Sequence, residues 1–354
     1  MLQDREKMQK IELDQPELVY SGRIDRREKK QPEFIFPASS LGFRFFGNKA
    51  VLILENRNAC WKNYVGAIVD GEQKSWLLNQ TGQTEILLLE EEEKREHEIL
   101  FFKRQDSCHE MKLCALFISK DGRILHAPFK PKRKIEVYGD SVSAGEVSEA
   151  VDYVGKADPQ HQGEYSNSWY SYAWITARKL QAELHDIAQG GIALMDQTGW
   201  FFSPNYIGME TVWNQMHYHP AFGEMVPWDF SAYTPDVVIV AIGQNDSHPI
   251  DYMKEEIDGE RAILWRKRYR AFLEGLRKQY PKAYLICCTT LLIHDAAWDR
   301  SIERVCRELE DKRIVYFAFQ RTGRGTPGHL RISEAEEMAE ELAAYIESLG
   351  IEGW

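Results

Sequence analysis

The chain has 354 residues, of which 44% are hydrophobic and 28% are charged, and its formal net charge is −11 at pH 7. This composition is typical of a soluble globular protein, and the length favours two domains over one. The negative charge argues against nucleic acid and membrane partners, because clustered lysines and arginines are needed to bind phosphate groups. No apolar stretch approaches the length that spans a bilayer.

The start of the chain, MLQDREKMQK, is too charged for a secretory signal. The six cysteines show no metal-ligand spacing, and Cys287 and Cys288 are neighbours in the apolar run AYLICCTT, as expected of buried thiols in a strand. We therefore predict reduced cysteines and a cytoplasmic protein.

Residues 1–132 contain short apolar runs separated by turns, such as AVLILEN and KLCALFISKDGRIL, with no strong helix pattern between them. Asp70-Gly71 and Asp121-Gly122 are pairs that commonly join antiparallel strands. The acidic run Glu90–Glu93 is predicted to be a solvated turn. These features predict an N-terminal β-sandwich domain, followed by a linker in the segment HAPFKPKRK.

Residues 133–354 alternate between strand-like and helix-like segments, which predicts a second domain with a parallel sheet covered by helices on both faces. A three- and four-residue apolar spacing marks a final helix from about Ile332 to Leu349, with Ser333 and Glu336 as its capping box. The predicted strands are Ile135–Tyr138, Glu183–Ala188, Val237–Ile242, Tyr284–Thr289 and Ile314–Phe319. The other predicted helices are Ser168–Leu180, Glu260–Gln279 and Arg300–Asp311.

Residues able to carry chemistry follow several of these strands. Ser141 comes after the first strand, Gly191 after the second and Asn245 after the third, while His329 lies in a loop before the last helix. Ligands in such sheets bind beyond the carboxyl ends of the strands. Each residue alone is an ordinary turn or surface residue, but together they supply a nucleophile, a base and hydrogen-bond donors, which acyl transfer requires.

The blocks GDS at 139–141, Gly191, GQND at 243–246 and His329 resemble those of the SGNH (GDSL-type) hydrolases. The segments GFRFFGNKAVLIL, NYVGAIVDG and ILFFKRQDS extend the likeness to the second family of carbohydrate esterases. That resemblance implies a jelly-roll domain before a three-layer, flavodoxin-like α/β hydrolase domain. It also implies removal of acetyl groups from plant polysaccharides without a metal or other cofactor.

The same resemblance implies a role for each matching residue. Ser141 is expected to be the nucleophile and His329 the base, with the N–H of Ser141, the N–H of Gly191 and the Asn245 side chain forming the oxyanion hole. The superfamily usually has an aspartate three residues before the histidine, where this chain has Thr326. We therefore predict that His329 is oriented by a backbone carbonyl or by an acid remote in sequence.

A long aromatic loop between the second and third strands supplies candidates for binding a sugar, although packing within the loop is at least as good an explanation for any one of them. These candidates are Trp200, Trp213, His217, Tyr218 and Trp228. A metal at His217 and His219 is disfavoured, because no second ligand pair has suitable spacing.

The sequence thus predicts a serine esterase that removes acetyl or other short acyl groups from small sugars or oligosaccharides. One alternative is an acyl esterase, thioesterase or lipase-like enzyme that acts on a non-sugar substrate. Another is a carbohydrate-binding protein with an idle esterase site. The oligomeric state is not predicted by any feature of the sequence.

Overall fold

A computed structural model describes residues 8–126, 130–352 and 354. Residues 1–7 of the predicted non-secretory start and residues 127–129 of the predicted linker lie outside the described residues. The chain divides into two compact units. The first contains the described residues up to Lys130 together with 162–164 and 219–223, and the second contains the remainder. No described helix has the length and apolar character that crossing a membrane requires.

The described strands of the first unit form one antiparallel sheet rather than two separate sheets. Its two longest strands, Ser40–Asn58 and Thr81–Lys103, pair from Ser40 opposite Phe102 to Arg57 opposite Thr81. Apolar side chains from both halves of these strands belong to one buried core, so the sheet curls around that core. The ten strands are Met8–Ile11 (β1), Val19–Ser21 (β2), Ile24–Asp25 (β3), Glu33–Phe34 (β4), Ser40–Asn58 (β5), Tyr64–Val69 (β6), Glu72–Leu77 (β7), Thr81–Lys103 (β8), His109–Ser119 (β9) and Arg123–Ile124 (β10).

The predicted turns of the first unit have different outcomes. Asp70-Gly71 joins β6 to β7 as a two-residue hairpin loop in which both residues have positive φ, as such tight turns require. The prediction for Asp121-Gly122 was wrong, because β9 and β10 on either side of it both pair with β5 and run in the same direction along it. The acidic run Glu90–Glu93 lies within β8, where residues 91–94 bulge out of the pairing with β5.

The second unit contains a parallel sheet of five strands, and nearly every residue in these strands is buried. Numbered by their sequence, the strands lie in the order 2-1-3-4-5, which is the flavodoxin-like arrangement, and the switch point lies between the first and the third strand. The strands are Arg133–Gly139 (β11), Ala182–Ala188 (β12), Val237–Ala241 (β15), Tyr284–Cys288 (β16) and Ile314–Tyr316 (β17), with a separate hairpin of Gln215–His217 (β13) and Val226–Pro227 (β14).

The helices of the second unit confirm the predicted alternation, with local differences. The predicted helix Ser168–Leu180 is broken at Ser171, whose side chain accepts the N–H of Trp174 and so starts a new helix. The described α-helices are Ser141–Ala144 (α1), Tyr172–Lys179 (α2), Met209–Val212 (α3), Tyr252–Glu255 (α4), Glu260–Gln279 (α5), Ala297–Glu308 (α6) and Ile332–Ser348 (α7).

The predicted capping box of the last helix was wrong by two residues. The residue that caps α7 is Arg331, and the side chain of Glu334 accepts the N–H of Arg331 at 3.1 Å. The position of this cap matters because Arg331 follows His329 by two residues.

Candidate active site

Ser141 lies in the turn directly after β11. The carboxylate of Asp140 accepts the N–H of Val142 at 3.0 Å and so starts the short helix α1 at Ser141. Ser141 is 3% exposed, and its N–H, at the first position of the helix, has no acceptor among the described residues. A Cβ at Gly139 would lie 2.0 Å from Oγ of Ser143, so this sharp strand-to-helix turn requires glycine at that position.

The loop after β12 presents a second backbone N–H. Gly191 has φ +70°, and its carbonyl accepts the N–H groups of Trp200 at 2.7 Å and Phe201 at 3.2 Å. No described residue accepts the Gly191 N–H. A Cβ at Gly191 would lie 2.7 Å from Cβ of Trp200, so glycine is required here both by φ and by space.

The Asn245 side chain lies between the first two segments. Its Nδ2 is 3.1 Å from Oδ2 of Asp140 and 3.1 Å from the carbonyl of Ile192, so the amide connects the Ser141 turn to the Gly191 loop. The hydrogens of this amide are therefore directed at protein oxygens, and a substrate oxygen would compete with these acceptors. Asp140 is fully buried, and burial raises its pKa to about 6 despite hydrogen bonds from Val142 and Gln244.

Asp246, the residue after Asn245, also holds the Gly191 loop in place. Its two carboxylate oxygens accept the N–H groups of Leu194 at 2.7 Å and Met195 at 3.0 Å. Burial raises the pKa of Asp246 to about 7, although these hydrogen bonds oppose the shift. Asp246 therefore holds two of the candidate oxyanion segments in register.

His329 is oriented by Asp158. Nδ1 of His329 lies 2.7 Å from Oδ2 of Asp158, and the His329 backbone N–H donates to Oδ1 at 3.1 Å. Arg331, which is fully buried, donates to Oδ1 of Asp158 at 2.8 Å and to the carbonyl of His329 at 2.7 Å. The backbone-carbonyl prediction was therefore wrong, and the prediction of an acid remote in sequence describes the structure.

The electrostatics of this pair follow from its contacts. Burial raises the pKa of Asp158, but His329 and Arg331 outweigh it and hold that pKa well below the usual range. Burial lowers the pKa of His329, but hydrogen bonds to Asp158 and Glu146 outweigh it and raise that pKa to about 10. Asp158 is therefore ionised at neutral pH and holds the imidazole with a proton on Nδ1.

The loop before His329 leaves room for this remote acid. Gly328 has φ +86°, and a Cβ there would lie 2.6 Å from the carboxylate of Asp158. Thr326, at the position where the superfamily usually has aspartate, instead accepts the N–H of Gly155 through Oγ1 at 2.8 Å. Thr326 thus anchors the loop that carries Asp158.

The other imidazole nitrogen faces a second carboxylate. Nε2 of His329 is 3.4 Å from Oε2 of Glu146, and the Glu146 N–H donates to the carbonyl of Ser141 at 2.9 Å. The described contacts contain no hydrogen bond between the Ser141 hydroxyl and His329. The structure thus places His329 beside the Ser141 turn, with Nε2 paired to Glu146 rather than to the Ser141 hydroxyl.

Comparisons with known proteins find similarity to carbohydrate esterases. A family model described as "Carbohydrate esterase 2 N-terminal" matches residues 20–128. Cellulase/esterase CelE of Acetivibrio thermocellus is 28% identical over 346 residues, which is 95% of this chain and 40% of that protein. An acetylxylan esterase / glucomannan deacetylase of Cellvibrio japonicus is 23% identical, and the match covers 96% of this chain and 90% of that protein.

A solved family two carbohydrate esterase from Clostridium thermocellum, in complex with cellohexaose, superposes with a TM-score of 0.78 at 27% identity. That match covers 94% of this chain and 99% of the other. The chain is therefore a relative of the family two carbohydrate esterases. It spans 40% of the length of the first of the relatives above, the cellulase/esterase.

The five candidate sugar-binding side chains lie in different surroundings. Trp200 is 59% exposed, lies on the Gly191 loop and stacks on His248 with ring centroids 3.4 Å apart. The Tyr218 hydroxyl donates at 2.8 Å to the side chain of Gln189, the residue directly after β12. His217 is buried at the end of β13.

The remaining two tryptophans have packing contacts. Trp213 lies against Phe230 and Phe272, and Trp228 lies edge-on to the His185 ring within β12. The packing alternative therefore describes Trp213 and Trp228, whereas Trp200 combines exposure with a place beside a candidate oxyanion donor.

Sequence reasoning missed Asp158, Glu146 and Arg331. The signals present were the glycine directly before His329, which admits a neighbouring group, and the arginine two residues after it. Neither signal identifies the acid, because Asp158 is 171 residues away in the chain.

Three described residues of the first unit form a group of possible metal ligands. Ligand atoms of Asp70, Glu91 and His97 all lie within 4.8 Å of one another. Arg95 makes ion pairs of 2.9 Å with Asp70 and 3.0 Å with Glu91, so an arginine already pairs with both carboxylates. This group has the chemistry of an ion-pair cluster rather than of a metal centre.

Proposed function

We propose that this protein is a serine esterase that removes acetyl or other short acyl groups from carbohydrate. The observation that carries the proposal is the Asp158–His329 pair beside the Ser141 turn. At the same sheet edge lie two backbone N–H groups that have no acceptor among the described residues, and one side-chain amide. These are the parts that acyl transfer uses, and they follow strands on both sides of the switch point.

In the first half-reaction, Oγ of Ser141 attacks the ester carbonyl carbon while its proton passes to Nε2 of His329. The carbonyl oxygen becomes an oxyanion, which the N–H groups of Ser141 and Gly191 and the amide of Asn245 stabilise. The bond to the sugar oxygen then breaks as Nε2 returns the proton to that oxygen. Asp158 keeps the imidazole in the required tautomer and stabilises the imidazolium.

In the second half-reaction, water takes the place of the serine hydroxyl. His329 accepts a proton from this water, the hydroxide adds to the acyl carbon, and the Ser141 oxygen leaves with the returned proton. The products are a carboxylic acid and the regenerated enzyme. Each proton transfer in this sequence uses a group that the described chain supplies.

Trp200 supports carbohydrate as the part of the substrate beyond the ester. An exposed indole fixed by stacking on His248 offers an apolar face to a sugar ring, beside the Gly191 donor. We expect Trp200→Ala to lower kcat/KM for an acetylated oligosaccharide several-fold, since aromatic contacts of this kind are worth about 1 kcal/mol. Hydrolysis of p-nitrophenyl acetate should change little, and Trp200→Phe should retain most of the activity on the oligosaccharide. Equal loss on both substrates would contradict a role in sugar binding.

The function is tested by hydrolysis of p-nitrophenyl esters of two to eight acyl carbons and of acetylated xylo- and manno-oligosaccharides. We expect acetyl esters to be preferred and acetate to be released from the oligosaccharides. Ser141→Ala should abolish both reactions, whereas Ser348→Ala, an exposed serine at the end of α7, should leave both unchanged. A preference for long acyl chains, or no release of acetate from any sugar, would overturn the proposal.

A further inference from the structure

His329 is surrounded by charged groups from four segments of the chain. Asp158 contacts Nδ1 from the loop before residue 162, and Glu146 faces Nε2 from the turn directly after α1. Asp140, at the end of β11, interacts electrostatically with His329 without contacting it. Arg331 is the opposing cation, and it binds Asp158 and the His329 carbonyl.

The pairing of Nε2 with Glu146 has a consequence for the proton on that nitrogen. Nδ1 already donates to Asp158, so Nε2 is the nitrogen that must accept the serine proton. An ionised carboxylate only accepts hydrogen bonds, so Nε2 approaches Glu146 favourably when it carries a proton. The contact therefore favours the imidazolium, which cannot act as a base.

The position of Glu146 is set by the backbone. Gly145 ends α1 with φ 74°, in the left-handed conformation, and the next N–H, that of Glu146, donates to the Ser141 carbonyl at 2.9 Å. The Glu146 side chain is 18% exposed and that of His329 is 25% exposed, so the contact is only partly screened by water. The turn that presents the nucleophile thus also presents this carboxylate to the base.

We propose that Glu146 is a positioning residue that holds the His329 imidazolium through Nε2 in the free enzyme, and that Nε2 leaves Glu146 for the Ser141 hydroxyl when a substrate is bound. This inference rests on the proposed esterase function. The reaction begins once Nε2 has released its proton to solvent and turned to the Ser141 hydroxyl. Glu146 then lies near the imidazolium that forms again when Nε2 takes the serine proton.

The sign of the pH effect follows from the charges around His329. Asp158, Glu146 and Asp140 all favour the imidazolium, whereas burial and Arg331 oppose it. In Glu146→Gln one of the three carboxylates is gone, so His329 should become neutral at a lower pH. The acid limb of kcat/KM reports this ionisation in the free enzyme. That limb should therefore move to lower pH, and activity near pH 7 should rise several-fold.

The test has two independent readouts. The pKa of His329 is measured by NMR titration of the protein with 15N-labelled histidine, and the pH profile of kcat/KM is measured with p-nitrophenyl acetate. In Glu146→Gln we expect the His329 pKa and the acid limb to fall together by about one unit or more, as removal of a charge at this distance implies. Glu146→Asp keeps the carboxylate and should lower the His329 pKa less than Glu146→Gln does. Asp152→Asn, which changes an exposed acid in the neighbouring loop, should change neither the His329 pKa nor the acid limb.

The outcomes distinguish this inference from the proposed function. An unchanged His329 pKa in Glu146→Gln would overturn the pairing, whatever the enzyme hydrolyses. A lowered pKa with an unmoved acid limb would also overturn it, since His329 would then not be controlled by Glu146 during turnover. If the wild type hydrolysed no ester, the esterase function would fail, and the NMR titration alone would decide whether Glu146 pairs with His329.

Discussion

At the scale of single residues, the site depends on one long-range contact. Asp158 contacts His329 through two hydrogen bonds. Arg331 binds the Asp158 carboxylate, and Gly328 leaves space for it. Thr326, at the usual position of the acid, instead anchors the Asp158 loop through Gly155. The carboxylate beside His329 thus comes from a different segment of the chain than the superfamily pattern implies. It still contacts Nδ1, which is the nitrogen that an orienting acid binds in a catalytic histidine.

This arrangement predicts a large effect of Asp158→Asn. An asparagine can donate to Nδ1 and so favour the wrong tautomer, and it removes the charge that stabilises the imidazolium. We expect kcat on p-nitrophenyl acetate to fall by about a hundred- to ten-thousandfold with KM little changed. The measurement is steady-state kinetics at several pH values, because the loss should persist across the profile.

The matched control for this variant is Asp152→Asn, an exposed aspartate six positions earlier in the same loop. It should behave as the wild type. A fall of less than about threefold in kcat for Asp158→Asn, with its fold intact by circular dichroism, would show that the imidazole does not depend on this carboxylate.

The four residues predicted from sequence share a property that Asp158 lacks. Ser141, Gly191 and Asn245 each follow a buried apolar strand, and His329 precedes a strongly periodic helix, so local patterns place them at one sheet edge. Asp158 lies in an irregular loop whose position depends on tertiary contacts such as Thr326 with Gly155. Only folding brings it to His329, which is why the sequence indicated a missing acid without identifying it.

At the scale of secondary structure, the parallel sheet was predictable and the antiparallel sheet was predictable only in part. Strands buried on both faces are continuous apolar runs, and all five predicted runs occur as neighbouring parallel strands. In the first unit, β5 and β8 are so long that each contains two of the short apolar runs in the sequence. Bulges within long strands resemble turns in sequence, as in the acidic run of β8.

One strand of the parallel sheet contains a buried acid with an energetic cost. Asp186 lies in β12, is fully buried, and neither carboxylate oxygen has a hydrogen-bond partner among the described residues. Burial raises its pKa well above the ordinary value, so the folded protein holds a proton that the unfolded chain releases. The contribution of Asp186 to the free energy of unfolding should therefore fall as pH rises above about 4, which is the pKa of an aspartate side chain in the unfolded protein.

Asp186→Asn should remove this dependence, because asparagine has the same shape and does not ionise. We expect the variant to be more stable than the wild type by about 1–3 kcal/mol at pH 8, with little difference near pH 4. Urea unfolding at both pH values measures this, and Asp152→Asn is the exposed control. Equal stability of variant and wild type at pH 8 would mean that Asp186 is solvated or paired in the folded protein.

At the scale of the whole molecule, the chain combines two compact units. The first has its own apolar core within a curled antiparallel sheet, and most of it matches the N-terminal model of family two carbohydrate esterases. The second contains every residue to which we assign chemistry. The relationship to family two was recognisable in sequence because the spaced blocks of the second unit and the strand segments of the first both carry it.

We propose Ser141 as the nucleophile of an esterase whose base is His329. The most direct test is reaction with diethyl p-nitrophenyl phosphate, followed by mass spectrometry of the digested protein. We predict one diethyl phosphate group per chain, located on Ser141, with loss of ester hydrolysis in proportion to labelling and no labelling of Ser141 in His329→Ala on the same time scale. Labelling at a different serine, or continued hydrolysis of p-nitrophenyl acetate by fully labelled protein, would contradict the claim.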